Sequence, residues 1–313
     1  FFLLLLALFV GMLLESIGIG IILPILELVI NPNSYEKIEW VVALFKTLNF
    51  SDKNRIVVFS LSFLVLVYLV KAIYLLSLNY FQNRFVSFTV ASISNKLYSN
   101  YVNQPFKFHT KRNSFDLIKI FQVELYYLNV LLMATFYLIT EIAIIFAIIS
   151  TLLIVEPIGT LAIFIFLLLF GSFYYIFTKN KLSKWGVKRE IEDHKISKLL
   201  TESLNGINDV IILNKQNFFL RKLVDFNHIR AQVISQQVTL GQVSRYYLEF
   251  ISIAALTGGI LIMFLLGKDL TDMVVTGGVF LAATFRTIPS INRIISSLQQ
   301  FKFYKSSLNI IND

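Results

Sequence analysis

The sequence predicts an all-α membrane protein with six transmembrane helices, several of which continue far beyond the bilayer. Composition is the first observation: 56% of the residues are hydrophobic, 15% are charged and the mean hydropathy is +0.71, which is unusual for a globular domain. The second is a set of apolar runs that reach the ~20 residues needed to cross a membrane as a helix. The third is that four of these runs continue, without a turn signal, into long amphipathic segments.

Six apolar runs are predicted to span the membrane. They cover residues 3–30, 56–78, 130–155, 158–177, 246–266 and 273–298. The first run lacks the charged start and the small-residue cleavage site of a signal peptide, and it contains Glu15. It is therefore interpreted as a true span.

Two helical hairpins are too long for the membrane alone. The run that begins at residue 56 continues as an amphipathic helix to about Asn103, breaks at residues 104–113 and returns to the membrane through Tyr126. The same pattern recurs with a break at residues 206–217. Helices of roughly 40–50 residues are some 60–70 Å long, so about half of each hairpin is expected to lie outside the lipid.

The distribution of cations along the chain predicts on which side of the membrane the hairpins lie. Residues 179–245 alone contain 12 of the 28 Lys and Arg, whereas the connections 31–55, 156–157 and 267–272 are short or nearly neutral. The positive-inside rule therefore predicts that the hairpins and both chain ends are cytoplasmic. The net charge of +9 then reflects topology, and no nucleic-acid partner is expected.

Both hairpin tips carry apolar side chains where water alone would favour polar ones. The first tip offers Phe106, Lys107 and Phe108, and the second offers Asp209, Val210, Ile211 and Ile212. Exposed apolar clusters with a polar rim are typical of docking surfaces. The alternative is that these side chains pack the two hairpins against each other.

The arrangement of six spans, long intracellular helices and two apolar tips resembles the type 1 transmembrane domain of ABC exporters. Residues 206–210, Gly-Ile-Asn-Asp-Val, resemble the turn before the second coupling helix of that family. The likeness covers residues 1–313 and implies a homodimer with helices exchanged between protomers. It also implies an elbow helix before Phe1 and a nucleotide-binding domain after Asp313. That domain would bind ATP and Mg²⁺ and hydrolyse the ATP.

The chemistry of ATP hydrolysis is not expected within this chain itself. The sequence contains no G-x-x-x-x-G-K-[ST] phosphate loop. His109, His194 and His228 lack the spacing of metal ligands. No cofactor, metal or catalytic residue is therefore assigned to residues 1–313. Because the first residue is Phe1 and not Met, the sequence is expected to be part of a longer protein.

Seven ionisable residues fall in or beside the predicted spans, and such residues are functional candidates by default. The cations are Lys71, Arg245, Arg286 and Arg293, and the carboxylates are Glu15, Glu141 and Glu249. Arg286 and Arg293 are seven residues apart and share a helical face, with Pro289 expected to kink the helix between them. Two interpretations stay open: a nearly neutral structural network of ion pairs, or a cationic substrate site.

The predicted position of the cations suits an anionic headgroup in the cytoplasmic leaflet, because arginine binds phosphate oxygens in a bidentate manner. Residues 245–249, 285–295 and 304–311 resemble the matching stretches of the bacterial PglK-type flippases of lipid-linked oligosaccharides. The resemblance implies a polyprenyl-pyrophosphate-linked glycan as substrate. It also implies a headgroup site formed by Lys71, Arg245, Arg286 and Arg293, with Lys71 standing where such proteins carry an Arg.

The resemblance further implies a multi-pass protein of the bacterial inner membrane whose partners are membrane lipid, an anionic glycolipid and a nucleotide-binding domain. Residues 35–48 are amphipathic and are expected to form a helix at the outer interface or a loop helix over the bundle. Another exporter, with a lipid, drug or peptide as cargo, is the main alternative. A membrane-bound glycosyl transferase would need clustered carboxylates, whereas Asp116, Asp193, Asp209 and Asp225 are scattered.

Overall fold

Helices make up all of the regular secondary structure in the described part of the chain. The computed structural model describes residues 2–30, 53–110, 118–155, 157–265, 267 and 270–312. Its helices in chain order are α1 (Phe2–Ile30), α2 (Lys53–Val102), α3 (Phe106–His109), α4 (Leu125–Val155), α5 (Pro157–Asn205), α6 (Ile207–Ile212), α7 (Gln216–Leu265) and α8 (Leu270–Asn312). A π-helical turn at Ile120–Glu124 leads into α4. The predicted all-α fold class is confirmed.

The three longest described helices run unbroken for far longer than a bilayer requires. The helix α2 has 50 residues, α5 has 49 and α7 has 50, against the ~20 residues of one crossing. The apolar run and its amphipathic continuation therefore form one helix in each case, as the sequence predicts. The first long helix ends at Val102, and α5 ends at Asn205, next to the predicted breaks.

Membrane-spanning capacity is clear for three helices among the described residues. By length and apolar composition these are Arg55–Val102, Ile120–Thr151 and Gln216–Leu265, and α1 contains a shorter apolar stretch, Leu6–Gly18. The count of six spans stays a prediction. The amphipathic segment predicted at residues 35–48 lies outside the described residues.

The helices divide into two units. The span unit comprises Phe1–Phe81, Ile139–Gly171 and Tyr247–Asn292, and the extension unit comprises Gln82–Leu138, Ser172–Tyr246 and Arg293–Asp313. The span unit holds most of the apolar runs, while the extension unit holds both hairpin tips. This division follows the one that the sequence predicts within each long helix.

Polar contacts between helices hold the span unit together. The Tyr74 hydroxyl on α2 donates to the Ala7 carbonyl of α1 at 2.8 Å. The hydroxyls of Ser16 and Thr151 lie 2.5 Å apart and join α1 to α4. Such contacts matter in an apolar bundle, because helix association in lipid depends on close packing and interhelical hydrogen bonds.

In the extension unit, α5 and α8 are in backbone contact at Gly186. A Cβ atom on Gly186 would overlap the carbonyl oxygen of Phe303 and lie 2.9 Å from its carbonyl carbon. The Phe303 side chain is itself buried. Only glycine permits this approach, because every other residue would place a methylene or methyl group inside the neighbouring backbone.

We expect Gly186→Ala to destabilise the protein by roughly 1–3 kcal/mol, the usual cost of overpacking, because the new methyl group meets backbone that cannot rotate away. The matched control is Gly258→Ala in α7, where a Cβ atom meets nothing within 4 Å and alanine favours the helix. Thermal unfolding of both purified variants in detergent measures the difference. Equal unfolding temperatures would contradict the importance of the Gly186 contact.

Candidate functional site

Lys71, one of the four predicted headgroup cations, lies in a buried ion pair within the span unit. Its Nζ is 2.7 Å from Oε2 of Glu15, and the two side chains are 9% and 1% exposed. The Lys71 ammonium also lies 4.6 Å from the ring centroid of Tyr68. Gly18 leaves space for this ammonium, since a Cβ atom there would lie 3.3 Å from Nζ. The pair joins α1 to α2 and neutralises the charge of Lys71.

The other three predicted cations are divided between the two units. Arg245 on α7 and Arg293 on α8 both belong to the extension unit, and both side chains are exposed. Arg286 belongs to α8 in the span unit, but its side chain lies outside the described residues. The headgroup role of the four residues stays a prediction.

The carboxylates have distinct environments too. Glu15 is paired with Lys71, Glu141 is buried in α4, and Glu249 is exposed on α7. The contact between Glu15 and Lys71 favours the interpretation of Lys71 as part of a structural network of ion pairs, because a buried ammonium in an apolar bundle is stable only when it is paired.

The first hairpin tip forms the short helix α3. Phe106 is 82% exposed and Lys107 is exposed beside it. Phe108 is half-buried, with its ring centroid 6.0 Å from that of Tyr101 at the end of α2. The tip therefore presents one aromatic side chain outward and holds the other against its own hairpin.

The second tip forms the short helix α6. Ile211 and Ile212 are 57% and 78% exposed, whereas Val210 is 8% exposed. Asp209 lies in the first turn of α6 and is exposed. The predicted apolar surface is thus real at Ile211 and Ile212, while Val210 anchors the helix to the extension unit.

A Schellman motif fixes the end of α6. The amide of Lys215 donates to the Val210 carbonyl at 2.9 Å, and the amide of Asn214 donates to the Ile211 carbonyl at 3.1 Å. Asn214 has a φ of 50°, in the left-handed region where asparagine is the most tolerated residue after glycine. This turn redirects the chain into α7 and sets the angle at which Ile212 is presented.

A buried guanidinium in the extension unit was not predicted from the sequence. Arg189 on α5 is fully buried, and its Cζ lies 3.9 Å from the Tyr127 ring centroid and 4.8 Å from that of Tyr304. Its Nη2 donates to the Ser307 hydroxyl at 2.9 Å. The only sequence signal was the spacing of Arg189 and Asp193 by one helical turn, which favours an ion pair.

Asp193 links this guanidinium to a second one. Its Oδ2 lies 3.7 Å from Nε of Arg189 and accepts a hydrogen bond from the Tyr127 hydroxyl at 3.1 Å. Its Oδ1 lies 2.6 Å from Nε of Arg230 on α7. Burial raises the pKa of the Asp193 carboxyl, and the two guanidiniums and the Tyr127 hydroxyl offset part of that rise. The cluster therefore joins α4, α5, α7 and α8.

The π-helical turn before α4 creates another buried ion pair. Nζ of Lys119 lies 3.0 Å from Oε1 of Glu124, and 3.3 Å from Oε1 of Glu190 on α5. Residues five apart diverge by about 140° around a regular α-helix, so Lys119 and Glu124 would not meet there. The amide of Leu125 bonds to the Ile120 carbonyl across the turn, and this i→i+5 pattern brings the two side chains together.

Comparison with known protein families identifies the family to which the chain belongs. A family model described as the ABC transporter transmembrane region matches residues 1–267. The chain is an ABC transporter transmembrane region.

Membership of the ABC transporter family gives the exposed tips a context. A transmembrane region of this family is a multi-pass membrane protein that pairs with a nucleotide-binding domain and is surrounded by lipid. The matched residues include Lys71, Arg245 and both tips, and they end before Arg286 and Arg293. The family match therefore supports transport and leaves the cargo open.

Lys71→Met is expected to destabilise this ABC transporter region by roughly 3–5 kcal/mol, because it leaves the buried Glu15 carboxylate without its ammonium partner. The double variant Glu15→Gln/Lys71→Met removes both charges and should recover most of the loss. Thermal unfolding in detergent compares the two variants with the unmodified protein. A double variant that unfolds at as low a temperature as Lys71→Met would show that the pair is not what stabilises α1 against α2.

Proposed function

We propose that this chain is the membrane half of an ATP-driven flippase that moves a polyprenyl-(pyro)phosphate-linked oligosaccharide from the cytoplasmic to the outer leaflet. The observation that carries the cargo assignment is the pair Arg286 and Arg293 in α8. The two arginines stand seven residues apart in one continuous helix, Leu270–Asn312, so both positions lie on one face. Their surrounding sequence, residues 285–295, resembles the matching stretch of the PglK-type flippases.

The proposed headgroup ligand is the pyrophosphate. Two arginine positions about two turns apart match a group with several phosphate oxygens, since each guanidinium can donate two parallel hydrogen bonds to such oxygens. Arg245 and Arg293 are both exposed to solvent, so a ligand can approach either side chain. Lys71 is different: a headgroup reaching it competes with Glu15 at 2.7 Å. We therefore assign Lys71 a secondary part in guiding the headgroup.

The coupling surfaces are proposed to be the two tips. Phe106 with Lys107 on α3, and Ile211 with Ile212 on α6, have the exposure that a docking anchor needs. Asp209 adds a polar rim to the second tip, while Phe108 and Val210 support the tips from inside. Because Phe108 and Val210 hold the short helices in place, a displacement of the exposed side chains by the docked domain is expected to move the whole tip.

The complete cycle follows from these assignments. The transporter is proposed to be a homodimer of six-span chains in the bacterial inner membrane, with both chain ends in the cytoplasm. ATP and Mg²⁺ bind to the nucleotide-binding domains, whose closure and opening move the tips. Rigid-body motion of the long helices then exposes the headgroup site first to one leaflet and then to the other.

Ile212→Ser should uncouple the transporter. Loss of one exposed apolar anchor is expected to weaken docking about tenfold, and so to lower ATP-driven transport without lowering the unfolding temperature. Flipping and ATP hydrolysis in proteoliposomes measure the effect. The control is Val187→Ser, which also removes an exposed apolar side chain of the extension unit. Equal transport by the two variants would exclude Ile212 from the coupling surface.

Alanine at Arg286 and Arg293 together tests the cargo. We expect glycolipid flipping in proteoliposomes to fall at least about tenfold, as expected when charged hydrogen bonds to a ligand are removed, while basal ATP hydrolysis persists. The control Arg84→Ala/Arg221→Ala removes the same charge from two exposed arginines and should flip normally. Undiminished flipping by the Arg286/Arg293 variant would contradict the proposal that these arginines bind the pyrophosphate. It would favour an exporter with another lipid, drug or peptide as cargo.

A further inference from the structure

One face of helix α5 changes from phenylalanine to lysine as the apolar run ends. Phe173, Phe177, Lys181, Lys184 and Lys188 follow one another at intervals of three or four residues, which places them on a single face. All five side chains are exposed. The two phenylalanine rings also contact each other, with centroids 4.7 Å apart. We call this surface the Phe–Lys face.

The Phe–Lys face has no acidic counterpart along its own helix. No Asp or Glu occurs between Glu156 and Glu190, and none of the three lysines forms an ion pair within the part of the chain that the structure describes. Farther along the same helix the pattern differs, because Lys195 lies 2.7 Å from Glu192 and Lys198 lies 3.8 Å from Glu202. Within the described residues of α5, the lysines that form no ion pair therefore lie in the turns that follow the apolar run.

We propose that the Phe–Lys face binds anionic bilayer lipid at the cytoplasmic leaflet, with phosphate headgroups on the lysines and the upper acyl chains on the phenylalanines. Lys181 is four residues beyond Phe177 and Lys184 is seven, or about 6 Å and 10 Å along the axis. The polar layer adds about 5–8 Å to each side of the hydrocarbon core, so Lys181 lies within it. Lys184 and Lys188 lie within about one Debye length of its charged surface, where lysines still attract anionic lipid. Clusters of lysine directly after a span attract anionic lipid in this way.

Charge complementarity selects lipid over a second copy of the chain as the occupant. The chain carries a net charge of +9, so a second copy brings an excess of cations to three lysines that form no ion pair, and like charges repel. Anionic phospholipid supplies one phosphate for each. This lipid is a component of the bilayer and not the transported cargo, so the binding is independent of the proposed glycolipid flipping.

Trp185 provides a local probe of the Phe–Lys face. It is half-buried on α5 next to Lys184, and the chain contains only one other tryptophan, Trp40. In a Trp40→Phe background, Trp185 fluorescence is measured in bilayers that contain either phosphatidylglycerol or phosphatidylcholine with a nitroxide attached to the headgroup, the layer of the bilayer to which Trp185 is expected to lie closest. Quenching at equal mole fractions gives the relative affinity of the two lipids for this surface, in the absence of any glycolipid.

The unmodified face should be quenched more strongly by the phosphatidylglycerol probe. Lys181→Gln/Lys184→Gln/Lys188→Gln should abolish that preference, with roughly a fivefold loss of relative affinity for each lysine removed. The control Lys96→Gln/Lys215→Gln/Lys222→Gln removes three exposed lysines elsewhere and should keep the preference. A preference that survives in the first variant, or disappears in both, overturns the proposal. Weak quenching by both probes, with a smaller oligomer for the first variant, would assign the face to a second copy instead.

Discussion

The backbone contact between Gly186 and Phe303 determines how the rest of the extension unit is built. At that distance α5 and α8 exclude water from the next turn, where Arg189 meets Ser307. A guanidinium without water needs other partners, because an unpaired buried charge costs several kcal/mol. The aromatic rings and Asp193 supply them, and Asp193 in turn recruits Arg230 from α7. One glycine thus leads to a cluster that ties four helices together.

This connectivity has a mechanical consequence. A coupling tip moves a distant site only if the helices behind it shift as one body, and packed interfaces with buried polar networks resist small deformations. The extension unit has two such networks, one around Asp193 and one around Lys119. Both include α5, the helix that leads directly to the second tip. We therefore expect a displacement of α6 to be passed to several helices of the unit instead of being absorbed in one.

Sequence patterns predicted the long helices and their breaks, because apolar runs of bilayer length and turn residues such as Pro105 and Gly206 are local signals. They did not predict what joins the helices. In the sequence, Gly186 looks like a glycine that merely weakens a helix. Its contact with the Phe303 backbone becomes visible only in the folded structure. Arg189 stands beside Lys188 in a basic stretch that is typical of a solvated surface. At the π-helical turn Lys119 also meets Glu190 from another helix, a contact that no local sequence pattern encodes.

The predicted headgroup site shows why spacing alone cannot assign a cation to a substrate. Lys71, Arg245 and Arg293 look alike in sequence as basic residues near span ends. In the structure Lys71 is buried 2.7 Å from Glu15, whereas Arg245 and Arg293 are exposed. A ligand gains more from an exposed guanidinium than from an ammonium already neutralised, since binding Lys71 must first replace its carboxylate partner. The ion pair that makes Lys71 important for stability therefore makes it a weaker candidate for recognising phosphate than an exposed cation such as Arg245.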